Sequence, residues 1–249
     1  MKTVRSYNKL VTEIINLNLP FKIEIIGYVT YSDKIYPMLA LKLVSKMAQK
    51  TIIITSGHHG EEYYAVNVLL NWLKQPIMFP DFNYYVFPVC NPFGYAHNRR
   101  NNGNRQETNN DTHFMKDSKV PELAVLFEEF PRTADLILDI HGDTDKSEVY
   151  CYEHKAENLP SIAEKALAEN DIIIPYLKTK TIYKSPLKNG VIIPPKYDIG
   201  LEGFLEKLGV KYSLTLEMPK KMEGQKMVQG GITIMNSLLK RKKNIENVF

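Results

Sequence analysis

Cysteine, tryptophan and long apolar runs are scarce in this sequence. Its 249 residues include two cysteines and one tryptophan. Cys90 and Cys151 do not have the spacing of a structural metal site, so we interpret both as reduced, buried thiols. No apolar segment reaches membrane-spanning length, and the N-terminus has no hydrophobic stretch of the kind found in signal peptides. These absences argue against a disulfide-built or membrane-spanning protein and favour a cytoplasmic location.

The sequence also lacks a strong charge of either sign. The net charge is +4, and 24% of the residues are charged against 44% that are hydrophobic, as in ordinary soluble globular proteins. The most basic segment, residues 240–243, is more typical of a solvated helix end than of a nucleic-acid site. We therefore expect neither a nucleic acid nor a membrane as a partner. The sequence does not indicate an oligomeric state.

Internal repeats, linkers and a Gly-x-Gly-x-x-Gly motif are absent, which disfavours a Rossmann-type nucleotide enzyme and predicts one domain over residues 1–249. Apolar strand-like segments alternate with helical ones, and an early hairpin makes the sheet mixed. We predict a single-domain, three-layer α/β/α fold with a central mixed, mostly parallel sheet. The predicted strands are 21–28, 38–44, 51–56, 84–89, 136–140, 149–152 and 212–217; the helices are 4–18, 61–74, 121–130, 160–170, 201–208 and 228–240; 91–94 is a turn, 95–118 a long polar loop, and 175–200 a loop with short strands.

The segment from Thr51 to Glu62 is the one around which the rest is organised. An Ile-rich strand ends at Ser56-Gly57, and two His and two Glu follow before a helical pattern begins. His59 and Glu62 form a His-x-x-Glu turn that can converge on one metal ion, as in catalytic zinc sites with an open position for water. The alternative is a solvated polar turn with a capping Glu.

Two further strands end in polar groups of the same kind. The strand 136–140 is followed by His141, and the strand 212–217 ends in Glu217. If these strands lie beside 51–56, His141 completes a His/Glu/His metal set, and Glu217 can act as a general base beside it. A core histidine and a surface glutamate before a turn are the alternatives for these two residues. We expect the remaining histidines His97, His113 and His154 at the surface.

In this order the motifs resemble those of the zinc carboxypeptidase superfamily, which includes the succinylglutamate desuccinylase and aspartoacylase branch. The resemblance covers residues 51–219 and comprises His-x-x-Glu, Asn-Pro-x-Gly with a downstream Arg, a strand ending in His, and Thr-Leu-Glu. It implies a bare catalytic domain of that fold. It also implies a Zn²⁺ ion on His59, Glu62 and His141, with Glu217 as the base that activates water.

The same resemblance assigns the polar loop to the substrate. Arg100, or its neighbour Arg99, stands where the family's Arg polarises the scissile carbonyl, and Glu107 stands where an acid supports a zinc-bound His. Asn109 matches a residue that holds the substrate carboxylate. Asn110 occupies the place of the carboxylate-gripping Arg, a departure because an amide cannot neutralise a carboxylate.

Arg105 is the nearest substitute cation in this loop, and Tyr197, twenty residues before Glu217, is the candidate for a tyrosine that closes over substrate. The sequence thus predicts a zinc-dependent hydrolase of a peptide or amide bond, acting on a small peptide or an N-acyl amino acid. A carboxypeptidase and an aspartoacylase-like deacylase both remain open, as does a non-catalytic zinc-binding protein that kept the fold.

Overall fold

Three consecutive isoleucines, Ile52 to Ile54, form the centre of the molecule and have no solvent exposure. Complete burial of one such side chain contributes about 1.5–3 kcal/mol to stability. The computed structural model describes residues 5–76, 81–109, 115–192, 210–222 and 224–245, with side chains up to 240. The sequence-predicted helix 201–208 lies outside the described residues.

The described elements are six helices and ten strands. The helices are α1 (Tyr7–Asn16), α2 (Tyr63–Leu73), α3 (Pro92–His97), α4 (Pro121–Glu129), α5 (Ala163–Asn170) and α6 (Gly224–Ile245). The strands are β1 (Lys22–Tyr31), β2 (Lys34–Leu43), β3 (Lys50–Ser56), β4 (Phe82–Phe87), β5 (Leu136–Asp143), β6 (Tyr150–Lys155), β7 (Thr181–Ile182), β8 (Ser185–Pro186), β9 (Val191–Ile192) and β10 (Tyr212–Pro219).

Eight strands form one mixed sheet in the order β1-β2-β4-β3-β5-β10-β6-β9. The central run β4-β3-β5-β10 is parallel, whereas β1, β2 and β6 pair antiparallel. The predicted mixed, mostly parallel α/β sheet is thereby confirmed. Because β3, β5 and β10 are adjacent and parallel, their carboxyl ends share one edge, where α/β sheets bind ligands.

Helices cover both faces of the sheet. Side chains alternate across a strand, so Tyr84 and Phe87 of β4 point to opposite faces. The Tyr84 ring packs against Trp72 of α2, and the Phe87 ring packs against Phe130 at the end of α4. On the first face, α6 packs against both α2 and α5. The predicted three layers are therefore present.

Local structure differs from the sequence prediction in three places. The first hairpin is longer, since β1 and β2 extend to the two-residue turn Ser32-Asp33, where both residues adopt positive φ. The predicted turn at 91–94 opens helix α3, because the Asn91 side chain accepts a hydrogen bond from the Gly94 N–H and Pro92 is the first helical residue. Helix α5 begins at Ala163 rather than at 160. The Glu153 carboxylate accepts the backbone N–H groups of Ile162 and Ala163 at this end of the helix.

None of the helices in the described part of the chain combines the length and apolar character that crossing a membrane requires.

Candidate metal centre

The turn after β3 is held in a tight conformation by glycine. Gly57 has φ +67°, in the left-handed region that favours glycine. A Cβ at Gly60 would lie 1.8 Å from the carbonyl carbon of Gly94, so the start of α3 leaves no room for a side chain there. This close approach fixes the His59–Glu62 turn against α3.

Glu62 stands at the N-cap of α2, but its side chain makes no capping hydrogen bond. Its carboxylate reaches His59 Nδ1, 2.8 Å from Oε1, and accepts the Gly142 N–H at 3.0 Å on Oε2. A Cβ at Gly142 would come within 2.3 Å of the Tyr64 ring, so a larger residue there would displace that ring. Glu62 therefore does not cap helix α2 with its side chain.

Donor atoms of His59, Glu62 and His141 converge on one point in the buried interior. The two imidazole Nδ1 atoms are 3.1 Å apart, and His141 Nδ1 lies 3.1 Å from Glu62 Oε2. Ligands of a tetrahedral zinc ion, with bonds near 2.0–2.1 Å, are about 3.3 Å from each other. The spacing of the three groups therefore fits a single metal ion of this size.

A further carboxylate lies on the far side of each ring. His59 Nε2 lies 3.1 Å from Glu107 Oε1, and His141 Nε2 lies 2.8 Å from Asp139 Oδ2. An N–H at each Nε2 leaves the lone pair on Nδ1, directed at the common point. Carboxylates in this position orient metal-binding histidines and raise their basicity. The donor set and its supports thus fit a bound metal.

The electrostatics agree with this assignment. Burial alone would lower the pKa of His141, yet Asp139 and Glu62 outweigh burial and raise the pKa well above its ordinary value. Hydrogen bonds with Glu107 and Glu62 likewise overcome burial and raise the pKa of His59. Despite its burial, the pKa of Glu107 is lowered to about 2 by its bond with His59 and by Arg100. The carboxylates around the two imidazoles thus stabilise positive charge, so a cation is favoured between them.

His58 lies behind the centre and is fully buried. Its Nδ1 is 2.8 Å from the Thr108 carbonyl oxygen, and its Nε2 is 3.7 Å from Asp139 Oδ2. The Thr108 hydroxyl in turn donates to the His58 carbonyl oxygen at 2.6 Å. These contacts tie the metal-binding turn to the loop that carries Glu107.

Glu217 lies beside the centre on β10, as the cross-strand partner of His141 on β5 and of Tyr150 on β6. It lines the same cavity as the three candidate ligands. Burial, reinforced by Glu62 and opposed by His141, raises the pKa of Glu217 to about 8. A carboxyl group with this environment and position can exchange protons with a molecule in the cavity.

Arg100 also lines the cavity. Its Nε donates to Glu107 Oε2 at 3.0 Å, and an Nη atom is 3.9 Å from Glu62 Oε1. The loop that carries it is built around Asn102, whose Oδ1 accepts the backbone N–H groups of Asn104 and Gln106. Asn102 Nδ2 donates to the buried Glu122 on α4 at 2.9 Å. The polar loop is therefore ordered around the site in its described part.

Other sequence-predicted substrate residues are placed differently. Asn109 Nδ2 is 3.3 Å from His141 Nε2, on the side away from the convergence point, so Asn109 lies behind the centre and does not line the cavity. Arg99 and Arg105 are exposed and do not line the cavity, because the loop turns them to the surface. Asn110 and Tyr197 lie outside the described residues. His154, predicted at the surface, is instead 6% exposed on β6, between β10 and β9.

The cavity over the centre has a volume of about 280 Å³. Its described lining comprises His59, Glu61, Glu62, Arg100, His141, Gly142, Asp143, Thr144, Asp145, Tyr150, Tyr152, Tyr183 and Glu217. A larger cavity of about 570 Å³ between α2 and the start of α6 shares none of these residues, and its described lining holds no histidine, cysteine or carboxylate. The smaller cavity is therefore the candidate site.

Sequence reasoning missed the tyrosines of this cavity. The hydroxyl groups of Tyr150 and Tyr183 both donate to Asp143 Oδ2, at 2.9 and 2.6 Å. Asp143 follows His141 by two residues, which is a sequence indication that it lies near the centre. Tyr183 comes from a hairpin 40 residues downstream, and no local pattern connects it with the site.

The fold and the centre together define an α/β protein with a His/Glu/His set at the edge of its sheet. Neither a family model nor any curated protein matches the sequence. Among solved structures, the chain is similar to a candidate metallopeptidase from Shewanella denitrificans OS217, with 23% identity over 94% of this chain and 88% of that one and a TM-score of 0.76.

Two other solved structures extend this likeness. A metallo-carboxypeptidase from Burkholderia cenocepacia has 18% identity over 94% of this chain and 67% of that one, with a TM-score of 0.65. A succinylglutamate desuccinylase/aspartoacylase from Rhodobacter sphaeroides has 15% identity over 90% of this chain and 65% of that one, with a TM-score of 0.64. The resemblance to the zinc carboxypeptidase superfamily is thereby confirmed at the level of the fold.

Proposed function

We propose that this protein is a zinc-dependent hydrolase that cleaves a peptide or amide bond in a small peptide or an N-acyl amino acid. The observation that carries the proposal is the position of Glu217. It lies on the strand next to His141 and lines the same cavity as the three candidate ligands. A protein that only binds metal has no use for a carboxylate at this place.

His59, Glu62 and His141 would hold the metal, which when bound supplies Lewis-acid polarisation of the scissile carbonyl and activation of a water molecule. Glu217 takes a proton from the attacking water and passes it to the leaving nitrogen as the carbon–nitrogen bond breaks. Arg100 contributes positive charge for the oxygen that becomes negative at the carbonyl. Glu107 holds both His59 and Arg100, so one carboxylate positions two parts of the machinery.

The cavity offers little positive charge to the carboxyl end of the substrate. Arg100 is the one cation among the described residues that line the cavity, and it is already bound to Glu107. Binding a carboxylate away from water without a neutralising charge is costly. We propose that a free carboxylate next to the scissile bond is recognised weakly, with Asn110 in the place of an Arg.

The test is metal analysis of the purified protein, followed by turnover of a panel of dipeptides and N-acyl amino acids before and after chelation. Wild type is compared with Glu217→Gln and with Glu128→Gln, a control on the exposed side of α4. We expect stoichiometric zinc, activity that chelation removes, and loss of activity in Glu217→Gln alone. A protein that binds zinc but cleaves nothing would contradict the hydrolase proposal, and unchanged turnover in Glu217→Gln would contradict the role given to Glu217.

A further inference from the structure

Tyr183 forms part of the cavity wall from an unusual backbone position. It occupies the tip of the β7–β8 hairpin, and both turn residues, Tyr183 and Lys184, adopt positive φ, of +49° and +68°. This left-handed region is unfavourable for a large side chain, and such strain persists only where surrounding contacts enforce it. The contacts that hold Tyr183 therefore indicate what the hairpin is for.

Two contacts fix the hairpin on the cavity. Ile182, 5% exposed, packs into a small apolar cluster beneath the turn with Tyr150, Leu177, Leu187 and Ile192. The Tyr183 hydroxyl spans to Asp143 Oδ2 at 2.6 Å, although the Tyr183 side chain is otherwise largely exposed. A solvent-facing tyrosine in a strained turn is thus directed into the site that holds the candidate metal ligands.

The direction of this hydrogen bond determines what Tyr183 can still do. An ionised carboxylate only accepts, so the Tyr183 hydroxyl is the donor and its proton is committed to Asp143. The Tyr150 hydroxyl donates to the same oxygen, and the Asp145 N–H occupies Oδ1. What Tyr183 has left for a molecule in the cavity is the lone pairs of its oxygen. A partner of Tyr183 must therefore bring an N–H or O–H donor.

We propose that Tyr183 is a specificity-determining residue of the hydrolase, whose hydroxyl oxygen accepts a hydrogen bond from a protonated amino group of the substrate. The inference rests on the proposed function. The charge of the cavity favours a cationic donor, because its described lining has five carboxylates, Glu61, Glu62, Asp143, Asp145 and Glu217, against Arg100. Even with Glu217 protonated and a divalent metal bound, the four remaining carboxylates outweigh the positive charges of the metal and Arg100.

A matched pair of substrates tests the inference. Alanyl-alaninamide and propionyl-alaninamide differ only in the amino group beside the scissile carbonyl. We expect the zinc-loaded wild type to prefer the amine, and Tyr183→Phe to reduce that preference about ten- to a hundredfold, the range for one hydrogen bond to a charged group. Tyr28→Phe, an exposed tyrosine on β1, is the control and should keep the wild-type preference.

Lys184→Gly separates a structural effect from recognition, because it relieves the positive φ without touching the hydroxyl. It should keep the wild-type preference for the amine. Equal losses on both substrates in Tyr183→Phe, or an unchanged preference, would overturn the inference. If neither substrate is cleaved, calorimetry measures the dissociation constants of both with zinc-loaded Glu217→Gln. Equal dissociation constants for the amine and the propionyl compound would then overturn the inference.

Failure of the proposed function and failure of the Tyr183 inference give different results. Metal-dependent turnover of any panel substrate that Glu217→Gln abolishes supports the proposed function whatever Tyr183 does. The Tyr183 inference is then judged only by whether Tyr183→Phe reduces the preference for the amine.

Discussion

His59 and His141 face each other through their Nδ1 atoms, 3.1 Å apart, while a carboxylate lies against the Nε2 of each ring. Two lone pairs directed at one point need a cation between them. Replacing His59 by Ala removes one donor, so we expect stoichiometric zinc binding to be lost. The sheet should remain folded, because β3 is buried independently of this side chain.

The measurement is metal content after dialysis against limiting zinc, with circular dichroism to follow the fold. His97→Ala on α3, outside the centre, is the matched control. Unchanged zinc binding in His59→Ala would show that the centre is elsewhere.

The carboxylates behind the two imidazoles give a second prediction. Glu107→Gln and Asp139→Asn keep the shape of each side chain but weaken its support of His59 and His141. We expect zinc affinity to fall about 10- to 100-fold in each variant. Competition with a chromophoric chelator measures the affinity, and Glu128→Gln should leave it unchanged. Wild-type affinity in both variants would mean that these carboxylates do not orient the ligands.

Glu217→Gln addresses the general base. The amide preserves the size of the side chain and cannot accept the proton, so turnover should fall at least about a hundredfold. Zinc should be retained, because Glu217 is not one of the three convergent ligands. Steady-state kinetics together with metal analysis provide the readout. Near-normal turnover would transfer the role to another cavity acid, Glu61 or Asp143.

Asn102 gives a prediction that joins stability with catalysis. It is 2% exposed and bonds both the loop backbone and Glu122. Asn102→Ala leaves buried polar groups without hydrogen-bond partners, at a cost of about 1–3 kcal/mol for each group. The free energy of unfolding should therefore fall. The substitution should also lower kcat/KM, since Arg100 and Glu107 lie on the same loop. Urea denaturation measures the stability, and steady-state kinetics measure kcat/KM. Asn104→Ala, at an exposed position of the same loop, is the control. Full activity in Asn102→Ala would disprove the positioning role.

The substrate's carboxyl end is tested with acetyl-alanyl-alanine and its terminal amide. We expect wild type to cleave the amide as well as or better than the free acid, because the cavity lacks a free cation among its described lining residues. Asn110→Arg should shift the preference towards the acid. A strong wild-type preference for the acid that survives Arg105→Ala would show that an unidentified cation holds the carboxylate.

Much of the centre could be predicted from the sequence, because its elements are strong local patterns. Each of three apolar strands is closed or followed at once by a His or Glu, and adjacency of β3, β5 and β10 was the single assumption needed. The helix at Pro92 was missed because six residues carry too little periodicity. The first hairpin was predicted too short because its strands stay paired beyond 28 and before 38, up to the turn at Ser32-Asp33.

The cavity wall could not be predicted in the same way. Tyr183 reaches Asp143 across 40 residues through the packing of a two-residue hairpin, a relationship that tertiary structure creates. The surface position of Arg105 likewise depends on the turn around Asn102, whose carbonyl oxygen accepts the Arg105 N–H, and Arg99 is held by the end of α3 through Gly94. Residue type indicated cations near the site, but not which of them face inward.

The contact between Gly60 and Gly94 has a practical meaning for protein engineering. The metal-binding turn and the Asn-Pro-x-Gly segment pack backbone against backbone, so they form one structural unit rather than two independent motifs. A graft of the centre onto another scaffold would have to transfer both turns in their mutual orientation. A library randomised over residues 59–62 would have to keep position 60 as glycine, or most of its members would lose the geometry before any ligand was tested.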